Sequence, residues 1–178
     1  AAQDMAAEPG AHLLVRQLPH YLSLLYATGM RAGEALALQW QDVDLAGRRA
    51  RLRETKNNTP RTVPLDDEAL AALRGQEEFQ RPGWPWVFVG RGPLAPACRF
   101  NREFDLAKAR ARIEPDANGE PLVIHSLRHS FATELADGGA DLFELMAATG
   151  HKSIAAAQRY IKVQEQQAVR ALAKRVRA

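Results

Sequence analysis

The chain has 178 residues and a hydrophobic content of 46%, which suit a single domain with a sizeable core. Its net charge of +3 is mildly basic, which is compatible with nucleic-acid binding without establishing it. Cys98 is the only cysteine, so an intramolecular disulfide is excluded. We expect a cytoplasmic protein with no membrane partner, because no membrane-spanning apolar run and no signal peptide are visible.

The N-terminal part predicts a loose arm followed by a buried helix. Residues 1–18 are expected to form an N-terminal arm or linker remnant, with a short helix that ends before Pro19. The apolar run at 20–28 predicts a buried helix that Gly29 ends.

Arg31 comes directly after this first helix. A run of good helix formers follows at 34–40, so the arginine lies between two helices. On this pattern alone, the arginine either caps the second helix or forms an ion pair with Glu34.

The chain from 41 to 65 predicts a small antiparallel sheet with a polar tip. Its strands are expected at 43–45, 49–54 and 61–65. Pro64 limits the last strand to a sheet edge, since proline cannot donate to a neighbouring strand. Turn-forming residues place Lys56 at the tip, where a lysine is usually a solvated side chain.

The next part of the chain predicts scaffold elements. Helices are expected from 66 to 79 and from 99 to 113, with a short strand at 86–89 and a mobile Gly- and Pro-rich loop at 90–96. The residues expected to face inward on the second helix are Phe100, Phe104, Leu106 or Ala107, and Ala111.

A third group of helices begins near His125. Ser126 is a candidate N-cap, so a helix is expected from there to about residue 136, with Leu127, Phe131 and Leu135 inward. Arg128 lies in its predicted first turn, where backbone N–H groups and a guanidinium suit an anion. The alternative is a surface arginine beside a hydrogen-bonded histidine.

Two further helices are expected at 141–149 and 153–161, the first with Leu142, Leu145 and Met146 inward. His151 lies between them, and Tyr160 lies near the end of the second. A tyrosine in such a place is usually a half-buried residue at the edge of a core, so the pattern alone leaves its role open.

Three signatures in this order resemble the catalytic domain of the tyrosine recombinase (phage integrase) family. They are Thr28-Gly29-Met30-Arg31-Ala32-Gly33-Glu34, His125-Ser126-Leu127-Arg128-His129, and Gly150-His151 with Tyr160 nine residues later. The Thr55-Lys56 turn followed by Arg61-Thr62-Val63-Pro64-Leu65 also resembles the family's catalytic-lysine hairpin. The sequence departs from the pattern at two places: at Ser126, where an acidic residue is common, and at Ala148-Thr149, where two leucines are common.

The resemblance implies an α+β fold, mostly α, with a helical catalytic domain at 19–163 and a small antiparallel sheet near its N-terminal third. It implies a site-specific DNA recombinase that cuts and rejoins DNA by transesterification through a covalent 3′-phosphotyrosyl intermediate, with no cofactor and no metal. The expected partner is double-stranded DNA, bound by a homotetramer in the synaptic complex. The family's N-terminal clamp domain has no room in 178 residues, so we expect an isolated catalytic domain, monomeric on its own.

The resemblance also implies a role for each residue type. Two arginines hold phosphate oxygens, two histidines donate hydrogen bonds and assist proton transfer, a lysine protonates the leaving 5′ oxygen, and a tyrosine attacks. The implied catalytic residues are Arg31, Lys56, His125, Arg128, His151 and Tyr160. Glu34 and His129 are expected to orient them. The expected contacts to the DNA backbone are Arg49, Arg51, Arg53 and Arg61.

Other interpretations stay open. A type IB topoisomerase-like relaxase uses similar chemistry, and a non-catalytic DNA-binding module needs only the basic residues. His125 and His129 have the spacing of a zinc-protease helix, but Ser126 replaces the required glutamate, so no metal site is expected. Residues 164–178 predict a basic helix that either docks on a neighbouring protomer or packs on its own chain.

Overall fold

A computed structural model describes residues 1–8, 10–53, 60–92, 95–97 and 99–161 of the chain. The helices are α1 (Ala2–Ala7), α2 (Leu13–Thr28), α3 (Ala32–Leu36), α4 (Asp67–Gln76), α5 (Asn101–Ala111), α6 (Ile124–Asp137), α7 (Leu142–Thr149) and α8 (Ile154–Gln158). The strands are β1 (Val43–Asp44), β2 (Arg49–Leu52), β3 (Arg61–Pro64), β4 (Val89–Gly92) and β5 (Ala95–Pro96). The predicted fold class, mostly helical with a small antiparallel sheet, is confirmed.

The chain divides into two compact units, Ala1–Phe131 and Ala132–Ala178. The boundary falls within α6. Within the described ranges, no helix has both the length and the apolar character that crossing a bilayer requires.

Helix α2 runs through Pro19, so the predicted helix end before that proline is wrong. The proline removes one backbone donor from the helix, which costs about 3 kcal/mol in a helix interior. The four side chains that offset this cost are almost fully buried: Leu18, Tyr21, Leu24 and Leu25. Each contributes about 1.5–3 kcal/mol of hydrophobic free energy, so packing in the core outweighs the local preference of proline.

The N-terminal residues also differ from the loose arm that their composition predicts. Residues 2–7 form α1, and Met5 on this helix is 8% exposed and packs into the core of the first unit. The following Glu8 forms an ion pair with Arg110 of α5. The assignment of 1–18 as an N-terminal arm or linker remnant, separate from the main domain, stays a prediction.

An aromatic cluster lies at the centre of the first unit. The ring of Tyr21 stacks on Phe100 at 4.5 Å between centroids and meets Phe88 edge-on at 5.2 Å. Next to it, the fully buried Gln17 accepts a hydrogen bond from the Val89 backbone N–H and donates one to the Val89 carbonyl, at 2.9 and 3.0 Å. The side-chain amide thus satisfies both backbone groups of one residue in β4.

The predicted sheet is confirmed as three antiparallel strands in the order β1-β2-β3. Ala50 of β2 pairs with Val63 of β3, and both side chains are buried. Arg51 pairs with Thr62, and both of these side chains are exposed. The strands therefore present one apolar face to the core and one polar face to solvent, and β3 with Pro64 is an edge strand, as expected.

Two scaffold predictions need correction. The segment at 90–96 was expected to be a mobile loop, but Val89–Gly92 pairs with Ala95–Pro96 in a two-stranded sheet. On α5, Phe104 and Ala107 are buried, whereas Ala111 is exposed and Leu106 is 50% exposed. The inward stripe of α5 is therefore narrower than expected, because only the Phe104 side of the helix meets the core.

The second unit packs small residues at its centre. Ala132, Leu145 and Ala157 are fully buried, with half-buried apolar side chains around them. Asp141 caps α7 by accepting hydrogen bonds from two backbone N–H groups, and Gly150 ends the helix in the left-handed conformation at a φ of 70°. The predicted bounds of this helix are confirmed.

We expect Gly29→Ala to destabilise the first unit by about 2–4 kcal/mol. Gly29 has a φ of 60°, and a Cβ there would lie 2.3 Å from Cδ1 of Phe131. The matched control is Gly83→Ala, at a φ of 78° with no atom within 4 Å of the added Cβ, which should cost about 1–2 kcal/mol. Urea denaturation checks both variants, and equal losses would contradict the close contact with Phe131.

Candidate active site

The turn between α2 and α3 presents Arg31. Gly29 ends α2 in the left-handed conformation, and its N–H donates to the Leu25 carbonyl. Arg31 is then the N-cap residue of α3, which begins at Ala32, two residues earlier than expected. The reason is a hydrogen bond of 2.9 Å from the Arg31 backbone N–H to the Glu34 carboxylate, which fixes the first turn of the helix.

Glu34 is the centre of a buried ionic cluster and is 6% exposed. Its carboxylate accepts a hydrogen bond from Nη1 of Arg31 at 2.9 Å and two from the terminal nitrogens of Arg61, each at 2.8 Å. Burial on its own raises the pKa of Glu34, but the hydrogen bonds from Arg61 and from the Arg31 backbone lower it to about 2. The carboxylate is therefore ionised at neutral pH and holds two guanidinium groups.

Arg128 contacts the same turn from α6. Its side chain is 3% exposed, and Nη1 donates to the Gly29 carbonyl at 2.6 Å, across 99 residues of sequence. Two arginines that the sequence predicts for phosphate binding are thus held at one turn of the first unit. Arg31 remains 35% exposed along its side chain.

Helix α6 begins earlier than the sequence predicts. It starts at Ile124, and Oγ of Ser126 accepts a hydrogen bond from the Val123 backbone N–H, which lies before the helix. The predicted N-cap role of Ser126 is therefore wrong, and Arg128 lies in the second turn rather than the first. The expected inward side chains of Leu127, Phe131 and Leu135 are half-buried, whereas the buried positions of α6 are Ile124, Arg128, Ala132 and Ala136.

His125 and His129 lie one turn apart on α6. Their rings meet edge-on, with centroids 4.7 Å apart. His125 is exposed and His129 is half-buried. This places His129 against His125, and the expected role of His129 in orienting the catalytic residues stays a prediction.

His151 and Tyr160 lie together in the second unit. Their rings stack with centroids 6.0 Å apart and an angle of 19° between the planes. Tyr160 follows the end of α8 by two residues, and the guanidinium of Arg159 lies 5.0 Å from the centre of its ring.

Thr149 fixes the orientation of His151, a contact that the sequence analysis did not foresee. The Thr149 hydroxyl donates to the Leu145 carbonyl at 2.6 Å, so its oxygen is left to accept from Nδ1–H of His151 at 2.8 Å. The network thereby assigns the Nδ1–H tautomer to the neutral ring. Thr149 is one of the departures from the family pattern, and this departure is the sequence feature that could have predicted the contact with His151.

The four arginines predicted to contact DNA lie on β2 and β3 or directly beside them. Arg49 forms an ion pair with Asp44 at 3.0 Å, Arg53 pairs with Asp42, and Arg51 is exposed on β2. Arg61 instead turns toward Glu34. Lys56 and the segment 164–178 lie outside the described residues.

Comparison with known proteins places the chain in a family. The sequence profile of the phage integrase family matches residues 11–167. The chain belongs to the phage integrase family. The tyrosine recombinase XerC of Mycobacterium leprae (strain TN) is 36% identical to this integrase-family chain over 167 residues, which cover 92% of the chain and 55% of that relative. The chain thus spans about half the length of the curated relatives that it matches.

Solved structures share the fold of this phage integrase family member. A XerH site-specific recombinase bound to difH substrate, in a pre-cleavage complex, has a TM-score of 0.72 at 22% identity, covering 96% of this chain and 50% of that one. The catalytic domain of bacteriophage HP1 integrase has a TM-score of 0.60 at 25% identity, covering 86% of this chain and 81% of that one.

We expect Glu34→Gln to lower the free energy of unfolding by about 3–5 kcal/mol near neutral pH, because it removes the charge that two arginines share. The folded pKa of Glu34 is about 2, below an unfolded value of about 4.3, so its contribution is present above the unfolded pKa and lost as pH falls through the folded one. The difference between the two proteins in urea denaturation should therefore shrink as pH falls from about 4 toward 2. Exposed Glu68→Gln is the control, with a change within about 0.5 kcal/mol. A Glu34→Gln difference that persists at low pH would argue against the ionised cluster.

We expect neutral His151 to lose its preference for the Nδ1–H tautomer in Thr149→Val, since valine keeps the shape of threonine but removes the accepting oxygen. Long-range nitrogen–proton NMR of neutral His151 should show Nδ1–H in the wild type and in Thr149→Ser, and a shift toward Nε2–H in Thr149→Val. An unchanged nitrogen pattern in the valine variant would show that another group selects the tautomer.

Proposed function

We propose that this chain is the catalytic part of a site-specific DNA recombinase that cuts and rejoins DNA through a covalent 3′-phosphotyrosyl intermediate. The observation that carries the proposal is the turn at Gly29, where Arg31 and Arg128 are both held in place. DNA binding alone does not require a buried arginine fixed to a backbone carbonyl. The names of the relatives support the same function.

The proposed reaction is a phosphoryl transfer in which the protein supplies position and charge. The Tyr160 oxygen forms a bond to the scissile phosphorus, and the bond from phosphorus to the 5′ oxygen breaks. The phenol loses its proton, and Lys56 gives one to the 5′ oxygen that leaves as a hydroxyl. Rejoining is the reverse reaction, which needs no ATP because the phosphotyrosyl link is itself a phosphodiester.

Charge on the non-bridging oxygens is stabilised by Arg31 and Arg128 in this mechanism. A guanidinium offers two parallel donors that match two phosphate oxygens. Removal of one such donor from a pre-organised site typically lowers the rate about 10²–10³-fold. The cluster around Glu34 keeps the Arg31 side chain near one conformation, so little reorganisation is needed when DNA binds.

The histidines act on protons and hydrogen bonds near neutral pH. With Nδ1–H of His151 donated to Thr149, the other ring nitrogen accepts a proton from a phenol when neutral and donates to a phosphate oxygen when charged. His125 is exposed on α6, in the same unit as both arginines, and acts as a donor to the phosphate.

We also propose the partner and assembly that the family resemblance implies. Double-stranded DNA is the substrate, with Arg49, Arg51 and Arg53 as contacts to its backbone. The active assembly is a homotetramer, and the domain comprises 19–163, preceded by an arm at 1–18 and followed by a docking helix at 164–178. The protein acts in the cytoplasm. In support, the XerH neighbour is a recombinase bound to a difH substrate.

We expect Tyr160→Phe to abolish covalent protein–DNA adducts while sparing DNA binding, because phenylalanine has no oxygen to attack phosphorus. A duplex with a nick beside the cleavage point, separated on denaturing gels, traps the adduct. Tyr26→Phe is the matched control, since it removes a hydroxyl from a tyrosine outside the proposed site, and it should still form the adduct.

The same assay separates the alternatives. An adduct that persists in Tyr160→Phe would show another nucleophile, and a wild type that binds DNA but forms no adduct would indicate a binding module. Relaxation of supercoiled DNA without strand exchange would favour a topoisomerase-like enzyme. Sensitivity of the reaction to EDTA would count against this set of residues.

A further inference from the structure

Arg61 differs from the other arginines of the hairpin in its surroundings. Its side chain is 14% exposed, whereas those of Arg49 and Arg53 are 64% and 53% exposed. Both of its terminal nitrogens donate to the two oxygens of Glu34, at 2.8 Å each. Because Glu34 engages both terminal nitrogens, the fork of Arg61 is already filled by a carboxylate and is not open for two parallel bonds to a phosphate.

The register of the sheet explains this placement. Arg61 pairs with Leu52 and lies on the same face of β3 as the buried Val63, because side chains alternate along a strand. Arg51 pairs with Thr62 on the opposite, exposed face. The two arginines therefore belong to different faces of the same hairpin.

We propose that Arg61 is a positioning residue that holds the Arg31 guanidinium through Glu34, and is not a contact to DNA. The proposal rests on the function proposed above. Oε1 of Glu34 accepts from Nη1 of both arginines, so the planar fork of Arg61 fixes the direction in which this oxygen meets Arg31. Arg31 itself donates to one oxygen through its backbone N–H and to the other through Nη1, and the fork of Arg61 adds a second donor to each oxygen.

Charge gives Arg61 a second effect on Arg31. Glu34 paired with Arg31 alone would form a neutral pair, and the carboxylate would compete with a phosphate for the guanidinium. With Arg61 present, two positive charges share one negative charge, so the cluster keeps a net charge of +1. The positive field of Arg31 is thereby retained for a phosphate.

The test compares Arg61→Gln with Arg31→Ala and with the double variant. Adduct formation on the nicked duplex is measured at saturating DNA, and the salt dependence of DNA binding is measured in a Tyr160→Phe background. We expect Arg61→Gln to slow the adduct about 10–100-fold, as for other residues that orient a reacting group, with an unchanged salt slope. The double variant should be slower than Arg31→Ala by less than the cost of Arg61→Gln alone, because most of the effect of Arg61 passes through Arg31.

Two further variants serve as references. Arg51→Gln, on the exposed face, should lower the salt slope by about 1 if it contacts a phosphate. Arg74→Gln removes an exposed charge from α4 and should change neither the adduct rate nor the salt slope. Arg61→Lys keeps the charge but lacks the fork, so its adduct rate should fall between those of the wild type and Arg61→Gln. If Arg61→Gln does not fold, a slower adduct rate in Arg61→Lys with an unchanged salt slope tests the proposal in its place.

The outcomes are distinct. A salt slope that falls by about 1 in Arg61→Gln, with a normal adduct rate, would overturn the assignment and make Arg61 a DNA contact. Additive losses in the double variant would also overturn it. Absence of any adduct in the wild type would reject the recombinase function, and this assignment with it.

Discussion

A carboxylate buried between two guanidinium groups organises the first unit. Taking an ion out of water costs several kcal/mol, and only well-aligned partners recover this cost. Glu34 has such partners in the backbone and side chain of Arg31 and in both terminal nitrogens of Arg61. Because each group needs the other two, α3 and β3 are held in one arrangement.

The same turn is supported from two other directions. Arg128 donates to the Gly29 carbonyl, and the hydroxyl of Tyr21 donates to the Ala32 carbonyl at 3.2 Å. The aromatic core, the long helix α6 and the sheet thus all fix the few residues that carry Arg31. Pre-organisation of this kind is what phosphoryl transfer by charge and position requires.

The sequence predicted features that local chemistry decides. Alternating side chains marked the strands, and Asp141 and Gly150 marked both ends of α7. Pro19 predicted a helix end that the structure does not have, because the burial of apolar side chains on α2 outweighs the helix-breaking preference of one proline. The prediction from Ser126 placed the start of α6 two residues too late. Its side chain accepts a hydrogen bond from the Val123 N–H, which precedes it in the chain, and does not cap the turn that follows.

The candidate site was predictable to a similar extent. The signatures identified Arg31, Glu34 and Arg128, and the ion pair between Arg31 and Glu34 was one of the two interpretations weighed. The orientation of Arg61 was missed although the sequence carried its signal: it alternates in step with the buried Val63 and Leu65, not with the exposed arginines. The bond from His151 to Thr149 depends on how a helix ends, which composition does not reveal.

The buried amide of Gln17 limits which residues its position in the core accepts. Gln17 and Val89 are both fully buried, so water cannot reach the Val89 N–H and carbonyl that the amide satisfies. A buried polar group without a partner costs roughly 1–3 kcal/mol. An apolar side chain at position 17 would leave two such groups unpaired, so this contact between α2 and β4 requires a side chain that both donates and accepts.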